Sequence, residues 1–160
     1  MEYHTLEPIY NNESKILILG SFPSVKSREA KFYYHHPQNR FWKILAAIFN
    51  DDKINTIDEK KEFLLRHKIA LFDVIASCTI TGSSDSSIKD VTVNDIEKII
   101  NNSKINCIFT NGNLANKLYH QYFDDKISLP VIKLPSSSPA NASYRLDRLI
   151  ENWKVIKDYL

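Results

Sequence analysis

Lys15-Ile-Leu-Ile-Leu19 stops at Gly20, and this run restricts the fold more tightly than any other in the chain. A short stretch that is apolar on both faces and rich in branched side chains reads as a strand buried on both sides, the environment of a parallel sheet. Parallel strands need long crossovers, so loop and helix must follow. From Arg40 onward Phe41, Ile44, Leu45, Ile48 and Phe49 fall at helical spacing, which leaves residues 20–39 as a loop between a strand tip and a helix start. Open α/β sheets bind ligands at such places.

Charge and aromatic rings gather in the same segment. Residues 26–43 hold five Lys or Arg and one Glu, a balance of +4 against +2 for the whole chain, with Phe32, Tyr33, Tyr34, His35 and His36 between them. Cations beside flat rings suit a phosphate backbone and a stacked base. The same composition also suits a solvated loop whose aromatics fold back onto the core, and composition alone does not choose between the two.

The 160 residues, 43% hydrophobic and 25% charged, are the size and balance of a single domain spanning residues 1–160. No window approaches the roughly 18–20 apolar residues of a membrane span, so a cytoplasmic protein without membrane contact is expected. Cys78 and Cys107 stand far apart with no CxxC and no Cys/His pair at ligand spacing. Two cysteines alone cannot hold an iron–sulfur cluster, and they read as buried, reduced thiols. His35 and His36 are adjacent, a poor spacing for chelation; neither metal nor other cofactor is expected.

The rest of the chain alternates. Residues 1–14 end in the polar turn Asn11-Asn12-Glu13-Ser14 and suggest no chemistry. Helical spacing over 58–67 is followed by an apolar strand run, Ile69–Ile75, whose Asp73 reads best as a structural residue. The hydroxyl-rich stretch 76–87 fits either phosphate contact or ordinary surface turns. Thr92 reads as the cap of a helix running through Val93, Ile96, Ile99 and Ile100. Then come a strand (105–110), the turn Asn111-Gly112, a helix (113–123), a strand (129–134), and a last helix with Leu146, Leu149, Ile150, Trp153 and Ile156 on one stripe. Right-handed crossovers turn this order into an α/β fold, a four-stranded parallel sheet between helical layers. The strand-end loops 20–39, 76–90, 111–113 and 134–142 then share one rim. With only three glycines, none in a GxGxxG or P-loop pattern, no phosphate cradle is present.

Three motifs on that rim carry a family resemblance. Gly20-Ser-Phe-Pro-Ser24, His36-Pro-Gln-Asn-Arg-Phe-Trp42 and Leu134-Pro-Ser-Ser-Ser-Pro-Ala-Asn141 together resemble the uracil-DNA glycosylase superfamily, and within it the DNA-deoxyinosine (hypoxanthine-DNA) glycosylase branch. The resemblance covers most of the chain. It implies a three-layer αβα sandwich that flips a damaged nucleotide out of double-stranded DNA and hydrolyses its N-glycosidic bond without a cofactor, as a monofunctional enzyme and a monomer.

Such an enzyme needs a flat partner for the base, donors for its edge, and groups that hold the backbone. Gly20, Ser21, Phe22, Pro23, Tyr33, Tyr34, Asn111 and Asn113 are the expected base pocket. Ser24, Lys26, Ser136, Ser137, Ser138, Pro139, Ala140 and Asn141 are the expected DNA contacts. Mismatch-type relatives carry an Asn where this chain has Phe22, so the resemblance moves the catalytic polar role to Asn39. Its amide is expected to orient water and to hydrogen-bond the base. An Asn just before a helical segment is equally a favoured helix cap, and both readings of Asn39 stand. A mismatch-specific uracil glycosylase, a non-catalytic nucleic-acid-binding domain, and a nucleotide binder using the same sheet edge are the alternatives.

Overall fold

The structure is a computed structural model describing residues 1–160. In chain order its elements are β1 (Glu2–Tyr3), β2 (Ile16–Gly20), α1 (Val25–Ala30), α2 (Phe41–Phe49), α3 (Ile57–Arg66), β3 (Ile69–Asp73), β4 (Ile75–Thr79), β5 (Lys89–Val93), α4 (Ile96–Asn101), β6 (Cys107–Asn111), α5 (Asn113–Phe123), β7 (Val131–Leu134) and α6 (Leu146–Trp153). Four strands form the expected parallel sheet in the order β3-β2-β6-β7. Ile16, Leu17, Ile18 and Leu19 are wholly buried, as a central strand covered on both faces requires.

The order of the strands reverses direction after β3. With right-handed crossovers the β2-to-β3 connection, carrying α1 to α3, lies on one face of the sheet, and the β6-to-β7 connection, carrying α5, lies on the other. α6 packs against α2. The two crossovers diverge between β2 and β6, and a crevice opens there at the carboxyl ends of the strands.

Three expectations need correction. The apolar run 69–75 is not one strand: Val74 and Ile75 donate their N–H groups to the carbonyls of Gly20 and Ser21 (2.9 and 3.1 Å), and this turns the chain out of the sheet after Asp73. Residues 76–90 are not a loop throughout, because β4 and β5 pair antiparallel and, with β1, form a second sheet in the order β1-β4-β5. Thr92 does not cap a helix; it lies in β5 opposite Ser77, and Asp95 caps α4 by accepting from the Lys98 N–H (3.1 Å). Val91-Thr92-Val93 is β-branched throughout, and its partner strand decides what helical spacing left ambiguous. Inside 20–39, residues 25–30 form a short helix capped by Ser24.

Cys78 and Cys107 are both free and buried. Burial pushes both thiols up, Cys107 to about 11, so both stay protonated and unreactive at neutral pH. A thiol reagent should therefore label neither in the native protein at pH 7 and both in denaturant; native labelling of either within minutes would contradict this packing.

Candidate active site

A cleft of about 1100 Å³ opens at the divergence point. Its walls are the tip of β2 (Gly20 to Ser24), Tyr34, Asn39, the 83–86 turn between β4 and β5, the β6 end with Asn111 to Leu114, and the segment 135–141 after β7. Three of the four expected rim loops therefore meet around one space, and the fourth reaches it through the hairpin turn.

The centre of the cleft is a chain of amides joined by one hydroxyl. Asn39 Oδ1 accepts from the Phe41 N–H (3.0 Å) and from Ser137 Oγ (2.9 Å). Since the backbone N–H can only donate, the amide orientation is fixed, and Asn39 Nδ2 is left with no protein partner on the cleft wall. Ser137 Oγ in turn accepts from Asn111 Nδ2 (3.0 Å), while Asn111 Oδ1 accepts from the Ser137 N–H (3.0 Å). The capping reading of Asn39 is corrected: the cap position of α2 is Arg40, and Asn39, one residue earlier, accepts from the first amide of the helix in a local turn, with its amino group making no bond to the protein.

Arg40 fastens the opposite wall. Its guanidinium donates to the carbonyls of Ser137 (3.3 Å), Ser138 (2.6 Å), Asn141 (3.1 Å) and Tyr144, and the Arg40 N–H also reaches Ser137 O (3.1 Å). Within the segment Ser136 Oγ accepts from the Ser138 N–H, Ser138 Oγ from the Ala140 N–H, and Asn141 Nδ2 donates to Ser136 O. Trp153 of α6 donates to Pro135 O (2.9 Å). The loop is held before any ligand arrives.

The expected site residues divide into two groups. Gly20, Ser21, Phe22, Pro23, Tyr34, Asn39, Asn111, Asn113, Ser136, Ser138, Pro139, Ala140 and Asn141 line the cleft. Ser24 and Tyr33 border it, but their polar groups are engaged elsewhere: Ser24 Oγ caps α1, and the Tyr33 hydroxyl donates to Glu7 O (2.7 Å) with the ring 2% exposed. Ser137 borders it too, yet is wholly buried and spent on Asn39 and Asn111, so its hydroxyl does not face solvent. Lys26 lies outside the cleft, on α1, 4.0 Å from Glu29. Tyr34, not Tyr33, presents an aromatic face, stacked on Phe41 with 4.0 Å between ring centres.

Sequence reasoning passed over three residues here. His4, from the segment read as chemically silent, bonds Asp73 through Nε2 (2.8 Å), and both side chains are nearly inaccessible. Asp85, on the hairpin turn, accepts from Ser21 Oγ (3.4 Å); desolvation by the surrounding turn and then the nearby Asp73 raise its carboxyl above the ordinary range, although the side chain reaches the surface. Lys133, exposed on β7, gives the cleft wall a cation. Asp73 itself was visible as a lone acidic residue within the apolar run 69–75, where it read as structural; the structure places it on the cleft wall.

Fold and cleft together define an open α/β protein with a polar, aromatic-backed binding site at the carboxyl edge of its sheet. The family described as Uracil DNA glycosylase superfamily matches residues 7–158, and the chain belongs to it. A protein of Methanosarcina acetivorans named Hypoxanthine DNA glycosylase is 32% identical over 156 residues, covering 92% of this chain and 93% of its own. A protein of the same name from Methanosarcina barkeri is 38% identical over 96 residues, 59% of this chain and 60% of its own. The solution NMR structure of a candidate uracil DNA glycosylase from M. acetivorans superposes with a TM-score of 0.80 at 30% identity, covering 94% of this chain and 93% of that one.

Replacing Arg40 by Ala should free the 136–144 segment at a cost of about 1.5–3 kcal/mol, the usual worth of hydrogen bonds to a charged group. Hydrogen exchange of those amides should speed up while β2 and β6 stay protected; unchanged exchange across the segment would mean that Arg40 does not hold it.

Proposed function

We propose that the protein excises hypoxanthine from double-stranded DNA: it flips the deoxyinosine nucleotide into the cleft and hydrolyses its N-glycosidic bond, leaving an abasic site. The observation that carries this reading is the Asn39 amide, whose carbonyl is locked by two donors and whose amino group is presented, unpaired, to the cleft. The names of the two archaeal relatives support the choice of base.

Glycosidic cleavage leaves positive charge on the sugar and negative charge on the departing base. A positioned N–H donor stabilises that base as its charge develops. Asn39 Nδ2 is such a donor. An amide takes no proton from water, and the Asn39 carbonyl is already engaged, so activation of the attacking water is assigned to a carboxylate while the Asn39 amino group remains to orient water or base. Asp85 is suited to that activation. Its raised proton affinity, from desolvation first and Asp73 second, favours accepting a proton, and its charge opposes the cationic sugar. Phe22 and Tyr34, the latter stacked on Phe41, give the cleft an aromatic lining against which the extruded base can pack. Lys133 and the exposed loop hydroxyls offer contacts for the backbone.

Single-turnover cleavage of a labelled duplex with one deoxyinosine tests the reading. Excision should exceed that from a uracil duplex, and Asn39→Ala should slow it about 10²–10³-fold. Product strands should break only after alkali, as an abasic site requires. Excision of uracil alone would move the protein to a different substrate class; duplex binding with no excision would make it a silent binder.

The rate should also rise with pH through an inflection above the ordinary carboxylate range, because a base with a raised pKa is deprotonated only above it. Asp85→Asn should lower the plateau and remove the inflection. A profile identical in wild type and variant would dismiss Asp85 as the base.

A further inference from the structure

At the end of β2 lies an acidic and phenolic pair whose oxygens the proposed chemistry leaves without a task. A Cβ placed on Gly20 would come within 2.5 Å of Asp73 Oδ1 and 2.7 Å of the Tyr34 hydroxyl, so the two oxygens flank one point at the strand tip. Only glycine leaves room there. Asp73 ends the neighbouring strand, opposite Gly20 in the register of β3 and β2.

The two oxygens are unequal in kind. Asp73 Oδ2 is bound by His4 Nε2 at 2.8 Å, whereas Oδ1 has no protein donor. A carboxylate only accepts, so the bond places the proton on His4 Nε2 and fixes which oxygen remains free. The His4 ring is wedged between Phe72, Phe22 and Tyr33, with ring centres 5.1, 6.2 and 6.2 Å away, and cannot swing aside. The Tyr34 hydroxyl is buried and has no hydrogen-bond partner. Asn111, close by, gives its carbonyl and one N–H to Ser137; its second N–H points to the phenol side without meeting hydrogen-bond geometry, and as a donor it leaves the phenol proton unclaimed. Burial, and then the Asp73 charge, hold the phenol above its ordinary range, so it remains a donor. Tyr34 also has a left-handed backbone, φ 51°, unusual for a bulky side chain. Backbone strain and an unsatisfied hydroxyl are both costs, and such costs collect where a ligand removes them.

We infer that Asp73 and Tyr34, with His4 as their positioning residue, read the lactam edge of the flipped base: Asp73 Oδ1 accepts the N1–H of hypoxanthine, and the Tyr34 hydroxyl donates to its O6. The assignment rests on the proposed function and adds to it the way the base is told apart. An acceptor beside a donor complements N–H beside C=O. Adenine, from which hypoxanthine arises by deamination, presents an acceptor at N1 and a donor at N6, and meets Asp73 with lone pair against lone pair. A site built to pair with a substrate N–H rejects an analogue lacking it by leaving its own buried groups unpaired. Uracil carries the same lactam edge at N3 and O4. Guanine does as well, and its exclusion comes from the greater cost of unpairing a matched base.

The experiment compares duplexes carrying deoxyinosine with duplexes carrying 2′-deoxynebularine, a purine nucleoside lacking both the 6-oxygen and the N1 proton. Wild type should prefer deoxyinosine by on the order of 100-fold. In Asp73→Asn the amide oxygen keeps the His4 bond and an amino group replaces Oδ1, so the preference should fall at least tenfold; Tyr34→Phe should lower it too. As a positioning residue His4 should show partial rescue: His4→Ala loses the preference, and His4→Gln, which still carries an N–H, retains more of it. Thermal melting of each variant separates misfolding from lost recognition. Equal slowing of both substrates in folded variants would make the trio merely structural and overturn the inference.

Equilibrium binding of the free bases reads the same edge without catalysis. Wild type should bind hypoxanthine more tightly than purine, and Asp73→Asn should bind them alike. If deoxyinosine is not excised but this binding preference holds, the proposed function fails and the lactam reader stands; no binding preference in wild type overturns the reader itself.

Discussion

Asn39, Ser137 and Asn111 belong to three segments far apart in sequence, and the cleft exists because their side chains bond one another. Each polar atom used inside the network is satisfied, so its burial is not penalised, and each amide is held in one orientation. The start of α2, the end of β6 and the segment after β7 are thereby locked together. Arg40 completes the lock with carbonyls rather than a carboxylate, so its charge is not cancelled and adds to the field at the cleft wall. A loop of serines and prolines, composition that elsewhere means mobility, is here tied at both its backbone and its side chains.

The second sheet has a comparable role on the other side. β1 pairs with β4, and its backbone carries His4 to a position where the ring closes over Asp73. A buried ionisable pair is weak evidence for stability, since apolar residues of the same volume often do as well, while removing one partner alone costs about 3–5 kcal/mol. The pair is better explained by what Asp73 must present to the cleft than by what it adds to the core. Strand β1 is two residues long and has little packing of its own, which fits an element retained to deliver a side chain.

The parallel sheet was legible because its central strands are short, apolar and β-branched: Ile16 to Leu19 and the 105–110 run are too short for a helix and end in turn residues. Half-buried β7 was marked by its β-branched Val131 and Ile132. Asn39 and the 134–141 segment were legible through motif spacing. Thr92 misled because Val93, Ile96 and Ile100 fit helical spacing as well as Val91 and Val93 fit a strand, and only the partner strand β4 separates the two. Tyr33 and Tyr34 were indistinguishable as neighbours in sequence; the left-handed backbone at Tyr34 sends one ring to the core and the other to the cleft. His4 was out of reach altogether, because a lone histidine near a terminus carries no periodic or motif signal and its partner lies 69 residues away.

The fate of the basic segment changes how DNA binding is to be understood. Lys26 faces Glu29, Arg28 bonds Gly82 O at 2.6 Å and lies 3.4 Å from Glu2 while covering the ring of Phe22, and Arg40 is committed to the 137–144 carbonyls. Two of the five cations counted in the sequence, Arg28 and Arg40, thus hold distant segments together, and a third, Lys26, is paired at the surface. The cleft itself is lined by two carboxylates, Asp73 and Asp85, and a single lysine, Lys133, so it is not a cationic groove for a phosphate backbone. What the cleft offers instead is hydroxyls, amides and aromatic surface. For the function proposed above, a cleft of this charge makes base entry, rather than phosphate attraction, the step in which its own groups select the site.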